Sequence, residues 1–435
     1  MKFKPYEEYK ESEIDYIGKY PIHWDITKLR FIFEERKEKN YGKREKNILS
    51  VVKNIGVIPY SEKGNVGNKH SEDIERYKLV YKNDIVMNSM NVIIGSVGRS
   101  QYEGVLSPIY YVLKIRDKEK FNVIYYENIF RMTSLQRELT KYGKGILAHR
   151  MRIPMELLKN LELPLPPKEE QDKIAAFLDH NLAKIDKFVE LTERQIELLK
   201  EQKEVIINDA VTKGIDNDVA YKDSGIDWIG KIPEHWEVTR LKYLTNSNLT
   251  SLSNNEEKDK EIEYIDIGSV GFFKLKSEPV KMLFGQAPSR ARRVVRKGDI
   301  IISTVRTYLK SMLYIDESLS GKIVSTGFSV LTPKGGVNSN YLKYSISGNY
   351  LIQNIIKSSV GVAYPAINDD RLMSLKIVYC RDKKEQEEII NYIEKETNKI
   401  DRTIELHKRQ IELIKEYRTS LIASAVTGKI DVRDF

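Results

Sequence analysis

The amino-acid sequence predicts an α+β protein with two pseudo-symmetric α+β domains, separated by two long antiparallel coiled-coil helices and arranged as a cyclic internal repeat. Three observations support this fold class. The major motifs occur twice, each copy ends in a long heptad-patterned segment, and the residues between are rich in β-branched and aromatic types. With 435 residues, of which 41% are hydrophobic, the chain is long enough for more than one core.

The repeat consists of two strong pairs of matching segments. Residues 9–31 read YKESEIDYIGKYPIHWDITKLRF, and residues 221–243 read YKDSGIDWIGKIPEHWEVTRLKY. The long segment 170–216 matches 385–431, and a weaker echo relates 80–85 to 295–300. The end of the second copy leads back into the motif that opens the chain, so the repeat is circular. Such a repeat packs most simply as a pseudo-dimer about a two-fold axis.

Each copy ends in a segment with a seven-residue apolar stripe. In residues 168–211 the stripe consists of Ile174, Phe177, Leu178, Ile185, Val189, Ile196, Leu199 and Ile206, and residues 384–426 repeat it in the same phase. This spacing is typical of a coiled-coil helix. A continuous helix of about 40 residues, rising about 1.5 Å per residue, would be a rod of roughly 60 Å. We therefore expect a pair of rods that act as a rigid spacer.

The remaining residues predict two mixed globular domains. Strands are expected at 48–52, 84–87, 109–115, 262–267, 299–303 and 328–331, and short helices at 122–142 and 339–356. The predicted domain organisation is a first α+β domain at 1–165, a first helical region at 166–216, a second α+β domain at 217–380 and a second helical region at 381–435.

Composition and missing motifs exclude several classes of function. The single cysteine, Cys380, rules out intramolecular disulfides and a cysteine zinc cage, and it fits a reducing compartment, so we expect a cytoplasmic protein. The chain has no signal-peptide pattern, no membrane-spanning run, no phosphate-binding P-loop, no G-x-G-x-x-G and no H-E-x-x-H.

Few residues suggest catalysis. His23 and Trp24 recur as His235 and Trp236, and we interpret each pair as a packed tryptophan with a neighbouring histidine. Asp266 and Asp299 lie on predicted strands, but one acid at a strand end does not make a nuclease centre. The sequence therefore predicts no catalytic residues and no metal ligands.

The positive signal for function is a series of basic stretches interleaved with aromatic and small polar residues. The formal net charge is +9, and eight cations lie between Lys281 and Lys310. Arginine can bond guanine, asparagine can bond adenine, and lysine can bond phosphate, so we expect duplex DNA as a partner. The predicted DNA-binding residues are Asn88, Arg99, Lys144, Arg150, Arg152, Arg290, Arg292, Arg293, Arg306, Tyr308, Lys310 and Tyr364. The alternative for any one of them is a solvated basic surface.

The repeated motifs resemble a known family. The run DWIGKIPEHWEVTRLK at 227–242, its variant at 15–30, and LPLPPKEEQDKI at 163–174 are similar to the DNA-specificity subunits of Type I restriction-modification enzymes. The resemblance covers essentially the whole chain. The second copy departs from it at 375–381, where LKIVYCR replaces the proline-rich lead.

The resemblance implies a non-catalytic subunit whose two domains are target-recognition domains, each reading half of a split, asymmetric DNA sequence. It also implies two methyltransferase subunits and two restriction or translocase subunits as partners, with S-adenosylmethionine, ATP and Mg²⁺ bound by those partners and no cofactor on this chain. The expected docking residues on the helices are Arg194, Gln195, Glu197, Arg409, Gln410 and Glu412. The alternative for these six is that they only pack the two helices against each other.

Two other functions compete with this interpretation. One is a self-sufficient restriction enzyme with a hidden nuclease centre, which would cleave plasmid DNA in the presence of Mg²⁺. The other is a coiled-coil adaptor without affinity for DNA, which would show no salt-sensitive binding to duplex.

Overall fold

The structure is a computed structural model of the chain. It describes residues 3–53, 55–64, 70–71, 73–90, 95–143, 152–216, 218–226, 229–253, 255–362 and 364–435. The chain forms two compact units. Unit 1 consists of Met1–Thr192 and Lys408–Phe435, and unit 2 consists of Glu193–His407. Each unit thus combines one globular region with parts of both long helical segments, while the four-part domain division given above stays a prediction.

Unit 1 contains twelve strands among its described residues. They are β1 (Tyr9–Glu11), β2 (Lys19–Pro21), β3 (Asp25–Lys28), β4 (Phe33–Glu35), β5 (Leu49–Val52), β6 (Gly56–Pro59), β7 (Lys78–Val80), β8 (Ile85–Asn88), β9 (Val97–Arg99), β10 (Gly104–Leu106), β11 (Tyr110–Ile115) and β12 (Glu162–Leu165). The main sheet is antiparallel with the order β4-β11-β8-β9. The pairs β5-β6 and β10-β7 are joined by a parallel bridge from Ile48 to Val105, and β1-β2 and β12-β3 are separate pairs.

The helices that begin in unit 1 are α1 (Leu29–Ile32), α2 (Val123–Phe130), α3 (Thr133–Leu139), α4 (Met155–Leu158) and the long α5 (Lys168–Lys213). The side chain of Asn122 caps α2 by accepting hydrogen bonds from the backbone of Ile124 and Tyr125. The predicted helix at 122–142 is confirmed as two helices, α2 and α3.

Unit 2 repeats this plan. Its strands are β13 (Tyr221–Asp223), β14 (Lys231–Pro233), β15 (Glu237–Arg240), β16 (Thr245–Ser247), β17 (Glu261–Ile265), β18 (Val280–Leu283), β19 (Ala291–Val294), β20 (Ile300–Ser303), β21 (Met312–Tyr314), β22 (Ile323–Ser325), β23 (Phe328–Pro333) and β24 (Lys376–Tyr379). Its helices are α6 (Leu241–Leu244), α7 (Ser339–Ser347), α8 (Asn349–Lys357), α9 (Asp369–Ser374) and the long α10 (Lys383–Val426), which ends in unit 1.

The sheets of the two units correspond strand by strand. The sheet β16-β23-β20-β21 has the connectivity of β4-β11-β8-β9. The second sheet, β18-β17-β22-β19, contains a parallel pair, β17 with β22, where the described residues of unit 1 have only the Ile48–Val105 bridge. The predicted α+β class, the six strands and the two long helices are therefore confirmed.

The weak sequence similarity between 80–85 and 295–300 corresponds to a turn that both units share. In unit 1 the Asp84 carboxylate accepts a hydrogen bond from the backbone N–H of Tyr81 at 2.9 Å, and in unit 2 Asp299 accepts one from Arg296 at 2.8 Å. The residue before each aspartate, Asn83 or Gly298, has a positive φ of 73° or 86°. Asparagine and glycine tolerate this conformation best, which explains why this turn recurs before β8 and β20.

Within each unit, parts of the two long helices pair in antiparallel fashion. In unit 1 the start of α5 and the end of α10 share one apolar core, which includes Phe177, Leu178, Leu421 and Val426. In unit 2 the opposite ends of these helices join another core, through residues such as Val211 and Ile389. Both heptad stripes are thus used for pairing, as the sequence predicts.

Equivalent ion pairs connect the helices in each unit. Asp186 pairs with Arg418 in unit 1, and Asp401 pairs with Lys203 in unit 2. Asp186 and Asp401 occupy the same repeat position, and so do Lys203 and Arg418. The pairing is therefore pseudo-symmetric in its charges as well as in its apolar residues.

Candidate nucleic-acid interface

Four predicted DNA-binding residues lie on one surface of unit 2, which we call the reading surface. It consists of Arg306, Tyr308, Lys310 and Tyr364, the first three from the loop between β20 and β21 and the last from the loop between α8 and α9. The loops are bonded to each other: the Arg306 N–H donates to the Pro365 carbonyl at 2.7 Å. The reading surface is therefore built from two loops that are hydrogen-bonded to each other, one joining β20 to β21 and the other joining α8 to α9.

The first loop contains a tight turn of unusual backbone conformation. Arg306 and Lys310 flank the turn at 307–309, and both have left-handed backbone angles, with φ of 49° and 52°. Non-glycine residues adopt this conformation at a cost of about 1–2 kcal/mol, and such residues are concentrated at functional sites. The Thr307 hydroxyl lies 2.7 Å from the Ser359 hydroxyl, a hydrogen bond that attaches the turn to the second loop.

The second loop presents an aromatic ring to the first. Gly361 has a φ of 120°, and a Cβ there would lie 3.0 Å from the Tyr364 carbonyl oxygen, so the loop requires glycine. Tyr364 is 65% exposed, and the Arg306 guanidinium stacks over its ring at 4.6 Å from the centroid. Tyr308 is also half exposed. Cationic and aromatic groups are thus directed to solvent side by side, an arrangement suited to nucleic acid.

Arg290 has a neutralising partner. Its guanidinium donates to Asp266 at 3.0 Å and to the Tyr264 hydroxyl at 3.2 Å. Burial alone would raise the pKa of Asp266, but the hydrogen bonds from Tyr264 and Arg290 lower it below its ordinary value. The Thr326 N–H donates to the Arg290 carbonyl at 2.8 Å, and the Arg290 side chain itself is half exposed.

Arg292 and Arg293 differ in their surroundings. Arg292 stacks over Phe284 at 4.6 Å. Arg293 is only 15% exposed, donates to the Phe328 carbonyl and pairs with Asp369 at 3.5 Å. Burial lowers the pKa of the Arg293 guanidinium in spite of Asp369. Arg293 therefore joins β19, β23 and α9, which is a structural role.

The two acids weighed for catalysis are also engaged. Asp299 is buried, its carboxylate accepts from the Thr332 hydroxyl at 2.7 Å as well as from Arg296, and burial raises its pKa. Asp266 holds Arg290, as described. Across the described ranges, no three His, Cys, Asp or Glu side chains group in a way that could hold a metal ion.

Unit 1 has the same loop frame. The Ile153 N–H donates to the Ser89 carbonyl at 3.1 Å, just as the Ile367 N–H donates to the Thr304 carbonyl at 2.9 Å in unit 2. Asn88 ends β8 immediately before this bond, and exposed Arg152 directly precedes Ile153. This one hydrogen bond between the two loops is thus the same in both units.

The other predicted residues of unit 1 divide into two groups. Arg99 is largely buried, pairs with Glu127 at 3.0 Å and donates to Asn83 at 2.8 Å, so it has a structural role. Lys144 and Arg150 lie outside the described residues.

The repeated His-Trp motif positions each globular region on a long helix. In unit 1 the Trp24 indole N–H donates to the Glu170 carboxylate at 2.9 Å, and His23 bonds the same carboxylate at 2.7 Å. In unit 2 Trp236 and His235 bond Glu385 at 3.0 and 2.8 Å. Both glutamates lie in the first turn of a long helix. The packing interpretation of the histidines agrees with these contacts, and the glutamate partner was not anticipated.

The predicted docking residues lie on the long helices. Glu197 and Glu412 each form an intrahelical ion pair, but with partners at different repeat positions: Glu197 pairs with Lys200 at 2.8 Å, and Glu412 pairs with Arg409 at 2.9 Å. Arg194, Gln195 and Gln410 are exposed. In contrast, Ile196 and Ile411, which lie within the same repeated motif, are buried in the helix pair.

Sequence reasoning missed four leucines near this motif. Leu191, Leu198, Leu406 and Leu413 are between 47% and 66% exposed. They form two repeat-related pairs, and in each helix the two leucines are seven residues apart. These leucines lie off the buried stripe, yet they are leucine in both copies. Comparing the two copies of the sequence could therefore have identified them.

Comparison with known proteins gives consistent matches. The family of Type I restriction modification DNA specificity domains matches residues 21–201 and 233–416. The Type I restriction enzyme MjaVIII specificity subunit of Methanocaldococcus jannaschii is 23% identical, and the match covers 100% of this chain and 98% of that protein. No helix in the described part of the chain is long and apolar enough to span a membrane.

Two solved structures share the fold. One, from work on complex assembly and conformational transition of the type I R-M system, has a TM-score of 0.68 at 14% identity, covering 94% of this chain and 98% of that one. The HsdS subunit of Thermoanaerobacter tengcongensis has a TM-score of 0.55 at 15% identity with the same coverage.

These matches define a class of protein, a subunit that recognises DNA and leaves catalysis to others. The chain belongs to the family of Type I restriction-modification DNA specificity subunits. Its two family matches coincide with the two copies of the repeat.

Proposed function

We propose that the chain reads a bipartite, asymmetric DNA target, with one half-site for each unit, and that the length of the two long helices sets the number of unread base pairs between them. The observation that carries this proposal is the shared loop frame. The bonds Ile153–Ser89 and Ile367–Thr304 are equivalent, yet the residues on the two frames differ. Equivalent frames with different side chains suit two different half-sites, and linking them strengthens binding to both.

In this proposal the residues divide by task. Arg306, Tyr308, Lys310 and Tyr364 contact DNA in unit 2 together with Arg290 and Arg292, and Asn88 and Arg152 contact it in unit 1. Lys144 and Arg150 remain predicted contacts. Arg99 and Arg293 maintain the frames, because their charges are already paired in largely buried surroundings.

We propose that two methyltransferase subunits and two restriction or translocase subunits dock on this chain in the cytoplasm. Exposed residues that are the same in both copies support docking of two identical partners: Arg194 and Arg409, Gln195 and Gln410, Glu197 and Glu412, and the two pairs of leucines. S-adenosylmethionine, ATP and Mg²⁺ would be bound by the partners.

The DNA proposal is tested by mapping methylated adenines in the host genome, followed by gel shifts with the full chain on target and random duplexes across a salt series. We expect a split motif and salt-sensitive binding that favours the target. A contiguous motif would contradict bipartite reading. Absence of salt-sensitive binding would favour the adaptor, and plasmid cleavage by the purified chain with Mg²⁺ would favour the self-sufficient enzyme.

The docking proposal is tested by native mass spectrometry of complexes with the methyltransferase subunit. We expect Leu191→Asp and Leu406→Asp each to release one copy of two, because a charge replaces an exposed apolar contact. The matched control is Val205→Asp, since Val205 is 57% exposed on α5 but its counterpart is Ser420. Two bound copies in both leucine variants would exclude this surface.

The spacing proposal is tested by deleting one heptad from α5 and the matching heptad from α10. The buried stripe is preserved by a seven-residue deletion, so the helices can still pair. We expect the preferred gap between half-sites to shorten, and an unchanged gap would contradict the role of the helices in spacing.

A further inference from the structure

We propose that Arg306, held in position by Tyr364, reads a guanine in the half-site of unit 2. This inference rests on the proposed function, in which the reading surface contacts duplex DNA. It goes further by assigning one side chain to one base and by giving Tyr364 the task of orienting that side chain.

The charge of Arg306 is available to a partner. Arg36, Arg99, Arg290 and Arg293 all face carboxylates within their units. In the described part of the chain the Arg306 guanidinium makes no ion pair, and its contact is the Tyr364 ring. An exposed guanidinium that no acid neutralises is suited to an electronegative ligand.

The stack determines which groups face the ligand. Because the Tyr364 ring covers one face of the guanidinium at 4.6 Å, the N–H groups at its edge remain free to donate. Those donors form a planar fork, which matches the O6 and N7 acceptors of guanine in the major groove. Arginine bonded to these two atoms is the commonest base-specific contact in protein–DNA complexes.

The backbone beneath the stack is fixed. Arg306 has a left-handed backbone, its N–H donates to Pro365 at 2.7 Å, and Thr307 bonds Ser359. Gly361 permits the close return of the chain that brings Tyr364 opposite Arg306. A side chain positioned before binding loses less conformational entropy on contact, which favours selective reading over loose attraction.

The internal repeat favours a base over a phosphate as the ligand. Phosphates are the same under both half-sites, so a phosphate contact would be expected to keep its cation in both copies. The sequence instead has Asn91 at the position equivalent to Arg306. Asparagine pairs with adenine, and arginine pairs with guanine, so the exchange is that of residues reading different bases.

The experiment uses the full chain and a randomised duplex library to define the target, followed by duplexes with each single base-pair substitution in both half-sites. Binding is compared for the wild type, Arg306→Lys, Arg306→Ala and Tyr364→Leu. We expect the wild type to prefer guanine at one position of one half-site by about 5- to 150-fold. Arg306→Ala should remove that preference, and Arg306→Lys should weaken it because lysine can still donate to guanine but lacks the planar fork. Both variants should leave all other positions unchanged.

Tyr364→Leu keeps an apolar side chain but removes the ring, so it should weaken the same preference and no other. Arg381→Lys is the matched control, because Arg381 is exposed and already paired with Glu237, and it should leave every preference unchanged. Retained guanine preference in Arg306→Ala, or equal weakening on all sequences, would overturn the inference while DNA reading by the chain stands. Failure of the wild type to select any sequence would instead refute the proposed function.

Discussion

In each unit the His-Trp motif meets the glutamate at the start of a long helix, and we call this region the joint. The two units build the joint from different parts of the chain. In unit 2 the joint is continuous: α5 ends at Lys213, whose carbonyl accepts a hydrogen bond from the Tyr221 hydroxyl, and the chain proceeds to Trp236. In unit 1 the two ends of the chain meet instead, and the Asp431 N–H donates to the Lys4 carbonyl at 2.8 Å. Tertiary contacts therefore reproduce in unit 1 what a covalent connection provides in unit 2.

The centre of each joint is a glutamate with different additional partners. Glu170 accepts a third hydrogen bond from the Tyr6 hydroxyl at 3.0 Å, whereas the Cys380 thiol lies 3.0 Å from Glu385. A phenol is a stronger donor than a thiol. The unit that lacks a covalent connection thus has the stronger set of donors at its joint.

The largest effects on stability are expected from replacing Glu170 and Glu385, and we expect the loss to be greater for Glu170. Glu170→Ala leaves the Trp24 indole and the Tyr6 hydroxyl buried without an acceptor, so we expect unit 1 to lose about 2–4 kcal/mol of stability. Glu385→Ala leaves one indole and a thiol, and we expect unit 2 to lose about 1–3 kcal/mol. Hydrogen exchange of peptides from each unit, resolved by mass spectrometry, measures both losses. Glu169→Ala, at an exposed neighbour, is the control, and equal losses would contradict the comparison.

Alkaline pH should destabilise unit 2 before unit 1. Burial raises the pKa of Cys380 above its ordinary value of 9.0, and it raises the pKa of Tyr6 and Tyr16 above 10.0. The unfolded state therefore releases these protons first, and stability falls as pH rises, by about 1.4 kcal/mol per pH unit for each group. We expect unit 2 to weaken from about pH 9 and unit 1 from about pH 10.

The reactivity of the Cys380 thiol reports the pH at which unit 2 begins to open. Its alkylation at different pH values, followed by mass spectrometry, measures the opening of unit 2 alone, because it is the single cysteine in the sequence. In Cys380→Ser, which has no thiol to alkylate, hydrogen exchange of peptides from unit 2 should show no weakening near pH 9. Rapid alkylation of the native chain at pH 8 would contradict the buried, protonated thiol.

A smaller effect is expected where the chain ends meet. Arg433 pairs with Asp431 at 2.7 Å and stacks over Tyr6 at 5.0 Å. Arg433→Ala should reduce the stability of unit 1 by about 0.5–1 kcal/mol and leave unit 2 unchanged, as measured by hydrogen exchange. Lys429→Ala, at an exposed position nearby, serves as the control. An equal effect in both units would mean that the contact does not belong to the joint of unit 1.

The smallest effect should be equal in the two units. Asp186→Asn and Asp401→Asn remove the equivalent ion pairs between the helices, whose side chains are between about one-third and three-fifths exposed. Exposed pairs contribute little, so we expect each loss to be about 0.5 kcal/mol or less, and smaller at high salt. Urea unfolding followed by helix circular dichroism measures it. A large difference between the variants would show that the helix pairing is less symmetric than its sequence.

The sequence was sufficient for the elements that periodicity specifies. The heptad stripes predicted α5 and α10, and β-branched runs predicted strands such as β20 and β23. The sequence could not predict that Glu170 and Glu385 hold the His-Trp motifs, because the partners lie about 150 residues apart. Sequence reasoning also predicted the same DNA-binding role for Arg293 and Arg306. The residue type alone does not reveal that Asp369, from another segment, pairs with Arg293.

The composition of unit 1 has a consequence for biosynthesis. Its core includes Leu421 and Val426, and the Tyr125 hydroxyl donates to the Val426 carbonyl at 2.9 Å. A ribosome adding about 5–20 residues per second completes unit 1 only on the order of 10 to 50 s after Thr192 has been made. During that interval the apolar residues near the start of α5 lack the residues of α10 against which they pack. The unit whose synthesis begins first is thus the last to complete its core.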